Sequence, residues 1–231
     1  MTIKAFRQNF NEMLASVYPT AEIDSLFFQL MEHVLNISRA ETILNVNSEL
    51  DQDVQNLVVQ FMNQLEKKEP IQYIIGQTSF AGIPILLNRH VLIPRPETEE
   101  LVNWIIEDNK ALPLNILDIC SGSGCIALSL SQAFQDAQVV GYELSTEAIE
   151  LSEENALALK LPVEFKYVDV LDNEQFTSAL KKQTKLGLLD IVVSNPPYIP
   201  YCEKDSVGDV VLKHEPEIAL YNSFTAPITV V

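Results

Sequence analysis

Basic residues are scarce in this chain: 15 Lys and Arg stand against 32 Asp and Glu, for a formal charge of -17 and a pI near 4.4. The acidic residues are spread along the chain, so no broad cationic face is available to grip DNA or RNA through phosphates. Cysteine is nearly absent. Cys120, Cys125 and Cys202 include no CxxC pair and no Cys/His cluster at metal-ligand spacing, and they are expected as free thiols in a reducing compartment. Long apolar runs are missing as well. Nothing approaches the roughly eighteen residues that span a bilayer, and the start, MTIKAFRQNFNEML, has no apolar signal core. His33, His90 and His214 are isolated in sequence, which favours surface or packing roles over catalysis. A cytoplasmic protein that does not touch membranes is expected, and 47% hydrophobic residues among 231 suffice for a substantial core.

Apolar periodicity organises the rest. Ile23, Leu26, Phe27, Leu30, Met31, Val34 and Leu35 recur at helical steps, as do Val54, Leu57, Val58, Phe61, Met62 and Leu65. Asp51 sits where an N-cap belongs, Pro70 stops the second of these helices, and weaker helical patterns cover about 3–16 and 39–45. Residues 1–70 therefore read as a small helical bundle. Residues 71–95 read as a hairpin-like linker, with Asn88-Arg89 between two short apolar runs. From Pro96 to residue 231 a helix is followed by alternation: NILDIC, a helix over about 124–134, QVVGYEL, a helix over about 145–160, VEFKYVDV, a helix over about 173–183, and LLDIVVSNPPY. That order predicts an α/β fold with a doubly wound, Rossmann-like parallel sheet.

Glycine is rare, which makes its placement informative. Two of the seven, Gly122 and Gly124, fall in DICSGSGCIAL directly after the first strand of the alternating region. There the backbone can approach a ligand closely, and the following helix points its free N–H groups toward it. Glu143 ends the second strand in GYELS, where a carboxylate can accept from two ribose hydroxyls, and Asp169 ends the third in YVDV, within reach of an adenine. These features fit an adenosine-bearing cofactor. Gly122-x-Gly124-x-x-Ala127 fits the dinucleotide fingerprint of dehydrogenases equally well.

The stretch SNPPYIP, Ser194 to Pro200, discriminates between them. Neither Pro196 nor Pro197 can donate to a sheet ladder, so the strand ends in a stiff turn carrying an amide side chain, bare carbonyls and an aromatic ring. A planar NH2 group conjugated to a carbonyl or aromatic ring is a poor nucleophile. If the Asn195 side-chain oxygen and the Pro196 carbonyl each accept one of its hydrogens, charge developing on nitrogen is stabilised by acceptors already in place. Tyr198 can lie against the flat group and fix its orientation. Nothing in a dehydrogenase requires this motif, so methyl transfer from S-adenosylmethionine to a planar amino nitrogen is the expected chemistry.

A helical amino-terminal region followed by YIIGQTSFAGIPILLNRHVLIPRPETEELVNWI, DICSGSGCIALSL, GYELS, SNPPYIP and GDVVLKHEPEIAL resembles the PrmC/HemK family, methyltransferases of peptide chain release factors. The resemblance runs over essentially the whole chain, and LIPRPETE (Leu92 to Glu99) separates it from DNA adenine methyltransferases. It implies methylation of the glutamine side-chain amide in the release factors' Gly-Gly-Gln motif, by a monomer that does not touch nucleic acid. It also implies that residues 1–70 help to hold the release factor. Cofactor contacts carried over are Asp118, Cys120, Ser121, Gly122, Ser123, Gly124, Glu143, Asp169, Val170 and Asn195; catalytic and substrate contacts are Asn195, Pro196, Pro197 and Tyr198. Two departures stand out. Cys120 replaces the family's usual first glycine, and the family continues past the point of Ala219-Leu220 with further strands, where this chain ends SFTAPITVV. An incomplete sheet with an exposed apolar edge and weakened stability is expected from the second. Methylation of an adenine or guanine exocyclic amine, and an inactive binding module, are the alternatives.

Overall fold

The computed structural model describes residues 1–109, 114–183, 188–206 and 208–222. Two compact units make up the chain, Met1–Ile75 and Gly76–Val231.

The first unit is helical: α1 (Ile3–Leu14), α2 (Thr20–Leu35), α3 (Arg39–Leu44), α4 (Gln52–Glu66) and α5 (Ile71–Ile75). Three of the starts have a capping side chain. The Thr2 hydroxyl accepts from Ala5 N, Ser38 and Glu41 form a reciprocal capping box, and Asp51 accepts from Val54 N at 2.8 Å. α4 ends before Pro70: Lys68 turns to a positive φ of 61°, and Lys68 N donates to Leu65 O and Glu69 N to Gln64 O. The Pro70 carbonyl then accepts from Tyr73 and Ile74 N–H to open α5. The stretch 71–95 thus begins with a helical turn that its short apolar run does not announce. Ile3, Phe6, Phe10 and Leu14 bury one stripe of α1 against α2 and α4. Phe6, Phe10 and Phe27 meet there with ring centroids 5.7 Å apart.

The second unit opens with an antiparallel hairpin, β1 (Gln77–Phe80) and β2 (Ile83–Leu86). Its turn lies at Ala81-Gly82, not at Asn88-Arg89 as the apolar runs suggest. Both turn residues have positive φ, 46° and 80°, the backbone a two-residue hairpin requires. The Asn88 side chain instead accepts from His90 N and shapes the connection onward. Then come α6 (Pro96–Asp108), β3 (Asn115–Ile119), α7 (Cys125–Ala133), β4 (Gln138–Glu143), α8 (Thr146–Leu159), β5 (Glu164–Tyr167), α9 (Asn173–Gln183) and β6 (Ile191–Ser194). The four strands are parallel in the order β5-β4-β3-β6. Strand order reverses between β3 and β6, which opens a crevice at their carboxyl ends. Leu117, Val140, Tyr142 and Val168 form a buried cluster with Ile119, Val170 and Phe176 packed on it.

Past β6 the chain makes β7 (Ile199–Pro200), a 3-10 turn (Tyr201–Ser206), α10 (Asp209–His214), α11 (Glu217–Leu220) and β8 (Tyr221–Asn222), with β7 and β8 paired in parallel. Among the described residues β6 pairs only with β3, and Val192 is 57% exposed at this edge. Residues 223–231, on which the expectation of missing strands bears, lie outside the described residues.

Gly141 in β4 shows how closely the sheet is packed. A Cβ there would stand 2.4 Å from Phe165 Cδ1 and 3.0 Å from Ser121 Cβ. Gly141→Ala is therefore expected to push Phe165 off its seat and destabilise by about 1–3 kcal/mol, as overpacked cores do. A urea midpoint equal to that of the parent protein would show that the ring yields freely.

Candidate active site

The cysteine-serine-glycine loop after β3 is held by its neighbours on every side. Cys120, Gly122 and Gly124 alternate at positive φ, 60°, 54° and 78°. Glycine suits such a backbone, whereas Cys120 adopts it at a cost of about 1–2 kcal/mol. Ser121 N donates to Tyr142 O, Gly124 N to Ser121 O, and Ser194 Oγ to Ile119 O. Asn155, buried on α8, donates to Ser123 O at 3.0 Å and exchanges two hydrogen bonds with the Leu86 backbone. The hairpin, the loop and α8 are thereby locked together.

Glu143 is the electrostatic centre of the loop. Its Oε2 accepts from Gly122 N at 2.9 Å, and its Oε1 accepts from Leu144 N and Ser145 N at 2.7 and 3.0 Å. The carboxylate thus ties the glycine loop to the turn that starts α8 before any ligand arrives. Asp169 lies two residues past the end of β5 rather than at it, and shapes a similar turn with Oδ1 accepting from Leu171 N.

A cavity of about 620 Å³ lies over these carboxyl ends, within the range of small-molecule sites. Cys120, Ser121, Gly122, Ser123, Glu143, Asp169, Val170, Asn195, Pro196 and Pro197 all line it. Three other residues expected at the site do not. Asp118 is fully buried under the loop, with Oδ2 accepting from Ala127 N. Gly124 serves as the left-handed N-cap of α7, packed near Phe165 and Ser152. Tyr198 is 54% exposed, and its side chain is not part of the cavity wall. Conversely, Thr98 and Glu217, which fall in stretches that carry the resemblance but were given no role, line the cavity, as do Tyr201, Tyr221 and His90, whose isolation suggested a bland role.

Thr98 bears on the chemistry directly, because the Asn195 amide donates to its hydroxyl at 3.4 Å. With its NH2 directed to Thr98, Asn195 keeps its carbonyl oxygen as the acceptor it can offer to a ligand. Burial pushes the Cys120 and Cys125 thiols up to about 12, which keeps both neutral.

Burial likewise raises Asp118 to about 8, with the Glu143 charge adding to it and the Ala127 N–H opposing it. The folded protein then holds a proton that the unfolded chain releases near 3.8. Stability is consequently expected to fall as pH rises from about 4 to about 8 and to level off above. Asp118→Asn should remove this slope and raise the urea midpoint at about pH 9 relative to the parent. Parallel pH profiles for the two proteins would refute the assignment.

The parallel sheet and the loop and acceptor turn at its switch point define a methyltransferase. A family model of the methyltransferase small domain matches residues 98–214, and one of the PrmC N-terminal domain matches residues 6–76. A release factor glutamine methyltransferase of Flavobacterium psychrophilum is 38% identical over 226 residues, which cover 96% of this chain and 76% of that protein. The proteins of the same name from Streptococcus pneumoniae (36% identity, covering 96% and 75%) and Leptospira interrogans (35% identity, covering 88% and 69%) are similar to it too. This chain belongs to the release factor glutamine methyltransferase family.

S-adenosylmethionine is the cofactor of this class, and the cavity suits it. The Glu143 carboxylate lines the wall, and Leu144, Ala148 and Val170 supply apolar surface. The buried Ser121 hydroxyl, which has no hydrogen-bond partner among the described residues, also belongs to the wall.

Proposed function

We propose that the protein methylates the side-chain amide nitrogen of the glutamine in the Gly-Gly-Gln motif of peptide chain release factors, acting in the cytoplasm as a monomer without nucleic acid. One observation carries this reading: the acceptor turn Asn195–Pro197 and the loop fixed by Glu143 line a single cavity at the switch point of the sheet. Cys120 to Ser123, Glu143 and the Asp169-Val170 pair hold the cofactor. Asn195 and Pro196 receive the substrate amide.

The cofactor supplies an electrophilic methyl on a sulfonium that leaves as a neutral thioether. The chain's part is to make an amide nitrogen capable of attack. Asn195 Oδ1 and the Pro196 carbonyl accept the two amide hydrogens and draw the nitrogen lone pair toward the methyl. Rigid prolines keep these acceptors from reorganising as charge develops, and one N–H proton is lost to water after the C–N bond forms. No general base is required, which agrees with the neutral thiols of Cys120 and Cys125. The amino-terminal unit supports the reading through its match to the PrmC N-terminal domain, and it holds the release factor body.

Labelled cofactor incubated with a release factor, the same factor carrying alanine for the motif glutamine, duplex DNA and RNA provides the test. Label is expected in the first alone. Label confined to nucleic acid would replace this reading with exocyclic amine methylation.

A further inference from the structure

We propose that Arg95 is a positioning residue for the transfer: by clamping Glu215 it holds the wall formed by residues 215–221 over the substrate end of the cavity. This rests on the functional reading above. Arg95 Nη2 donates to both Glu215 oxygens, at 2.6 and 2.7 Å, across 120 residues of sequence. The Glu215 side chain is 2% exposed, so this carboxylate is removed from water and has the guanidinium as its cation.

Each partner sits where its displacement would move the site. Arg95 lies between Pro94 and Pro96 as the N-cap of α6, and its carbonyl accepts from Thr98 N. Thr98, one turn on, is the residue that receives the Asn195 amide. Glu215 directly precedes Pro216, the N-cap of α11, and Glu217, Ile218, Ala219 and Tyr221 beyond it all line the cavity. The far end of this segment is fixed by the pairing of Ile199 with Tyr221 and Pro200 with Asn222, just after the acceptor turn. The wall is held to β7 and the turn after it by the β7–β8 pair and by Tyr201 and Lys204, which both donate to Glu217, and to the start of α6 by the Arg95–Glu215 clamp. Without the clamp, the wall keeps its ties to β7 and the turn after it and loses the tie to α6.

The cofactor side is fixed independently. Gly122 is held by Glu143, and Asp169 N donates to Gln175 on α9; neither bond involves the wall. Loss of the clamp should consequently separate the two ligands' affinities. In Arg95→Met, KM for the release factor is expected to rise about tenfold or more while the Kd for S-adenosylhomocysteine stays within about twofold. Arg95→Lys, which restores one charged donor, should recover most of the loss. If Arg95→Met leaves Glu215 too costly to bury, Arg95→Met/Glu215→Leu removes the orphaned charge and should show the same split in a folded protein. Equal weakening of cofactor and release factor, or unchanged kinetics in a folded variant, would overturn the inference. Hydrogen exchange gives a readout that needs no substrate. Residues 215–221 should exchange faster in Arg95→Met, with residues 118–124 and 141–145 unchanged, and equal exchange throughout would also overturn it. A parent protein that never methylates release factors would refute the functional reading instead, leaving the exchange result to decide the clamp.

Discussion

Asn195→Ala is expected to lower kcat by about 10²–10³-fold, comparable to removing one preorganised partner from a developing charge elsewhere, or about 3–4 kcal/mol of barrier. The amide nitrogen gains positive character only as the methyl arrives, so the Asn195 oxygen contributes more to the transition state than to the bound ground state. Cofactor affinity should accordingly change by no more than about threefold, since Glu143 and the loop amides it holds remain. The structure refines this expectation through Thr98, whose hydroxyl receives the Asn195 NH2. Asn195→Asp keeps an acceptor at the same place but loses that donated bond, and should retain more turnover than the alanine variant. Single-turnover rates at saturating concentrations of both ligands, with calorimetric cofactor binding alongside, separate the cases. Equal losses in turnover and cofactor affinity would make Asn195 a cofactor ligand and remove it from the acceptor role.

The parts of the site that could be read beforehand are those written in contiguous residues. DICSGSG and SNPPY each occupy a strand end and the turn beyond it, and the apolar runs placed β3 within a residue and β6 within three residues of where they lie. Glu143 was legible for the same reason, as the last residue of β4. Its bonds to Gly122, Leu144 and Ser145 were not, because a carboxylate at a strand end points equally to a ribose or to neighbouring amides.

Ala81-Gly82 escaped notice because alanine at positive φ leaves no compositional trace, whereas Asn88-Arg89 imitates a turn. The wall from Glu215 to Tyr221 escaped for a different reason: α10, α11, β7 and β8 are too short to show a period, and their placement depends on Arg95, which is 120 residues away. Asp118 shows the opposite error. The resemblance carried it over as a cofactor contact, but β3 alternation turns its side chain into the interior, where it accepts from Ala127.

Glu143→Ala should weaken cofactor binding by about 1–3 kcal/mol, a rise in Kd of roughly 5- to 150-fold, from the loss of charge-assisted hydrogen bonds. The structure gives this effect two sources that can be told apart. One is direct acceptance from ribose hydroxyls. The other is indirect: Gly122, Leu144 and Ser145 lose their common acceptor, and the loop loses its tie to the start of α8. Glu143→Gln separates them, since its single carbonyl oxygen can serve either Gly122 or the Leu144-Ser145 pair, while its NH2 faces the remaining donors. Should the indirect source dominate, the ligand-free protein melts earlier in both variants, and cofactor affinity falls in step with that loss. A direct ribose contact requires more: affinity must drop further than the change in melting accounts for, and a cofactor analogue lacking the ribose hydroxyls must bind parent and Glu143→Ala alike. Unchanged cofactor affinity in Glu143→Ala would move the ribose site away from β4 altogether, and the loop geometry would then have to be explained by stability alone.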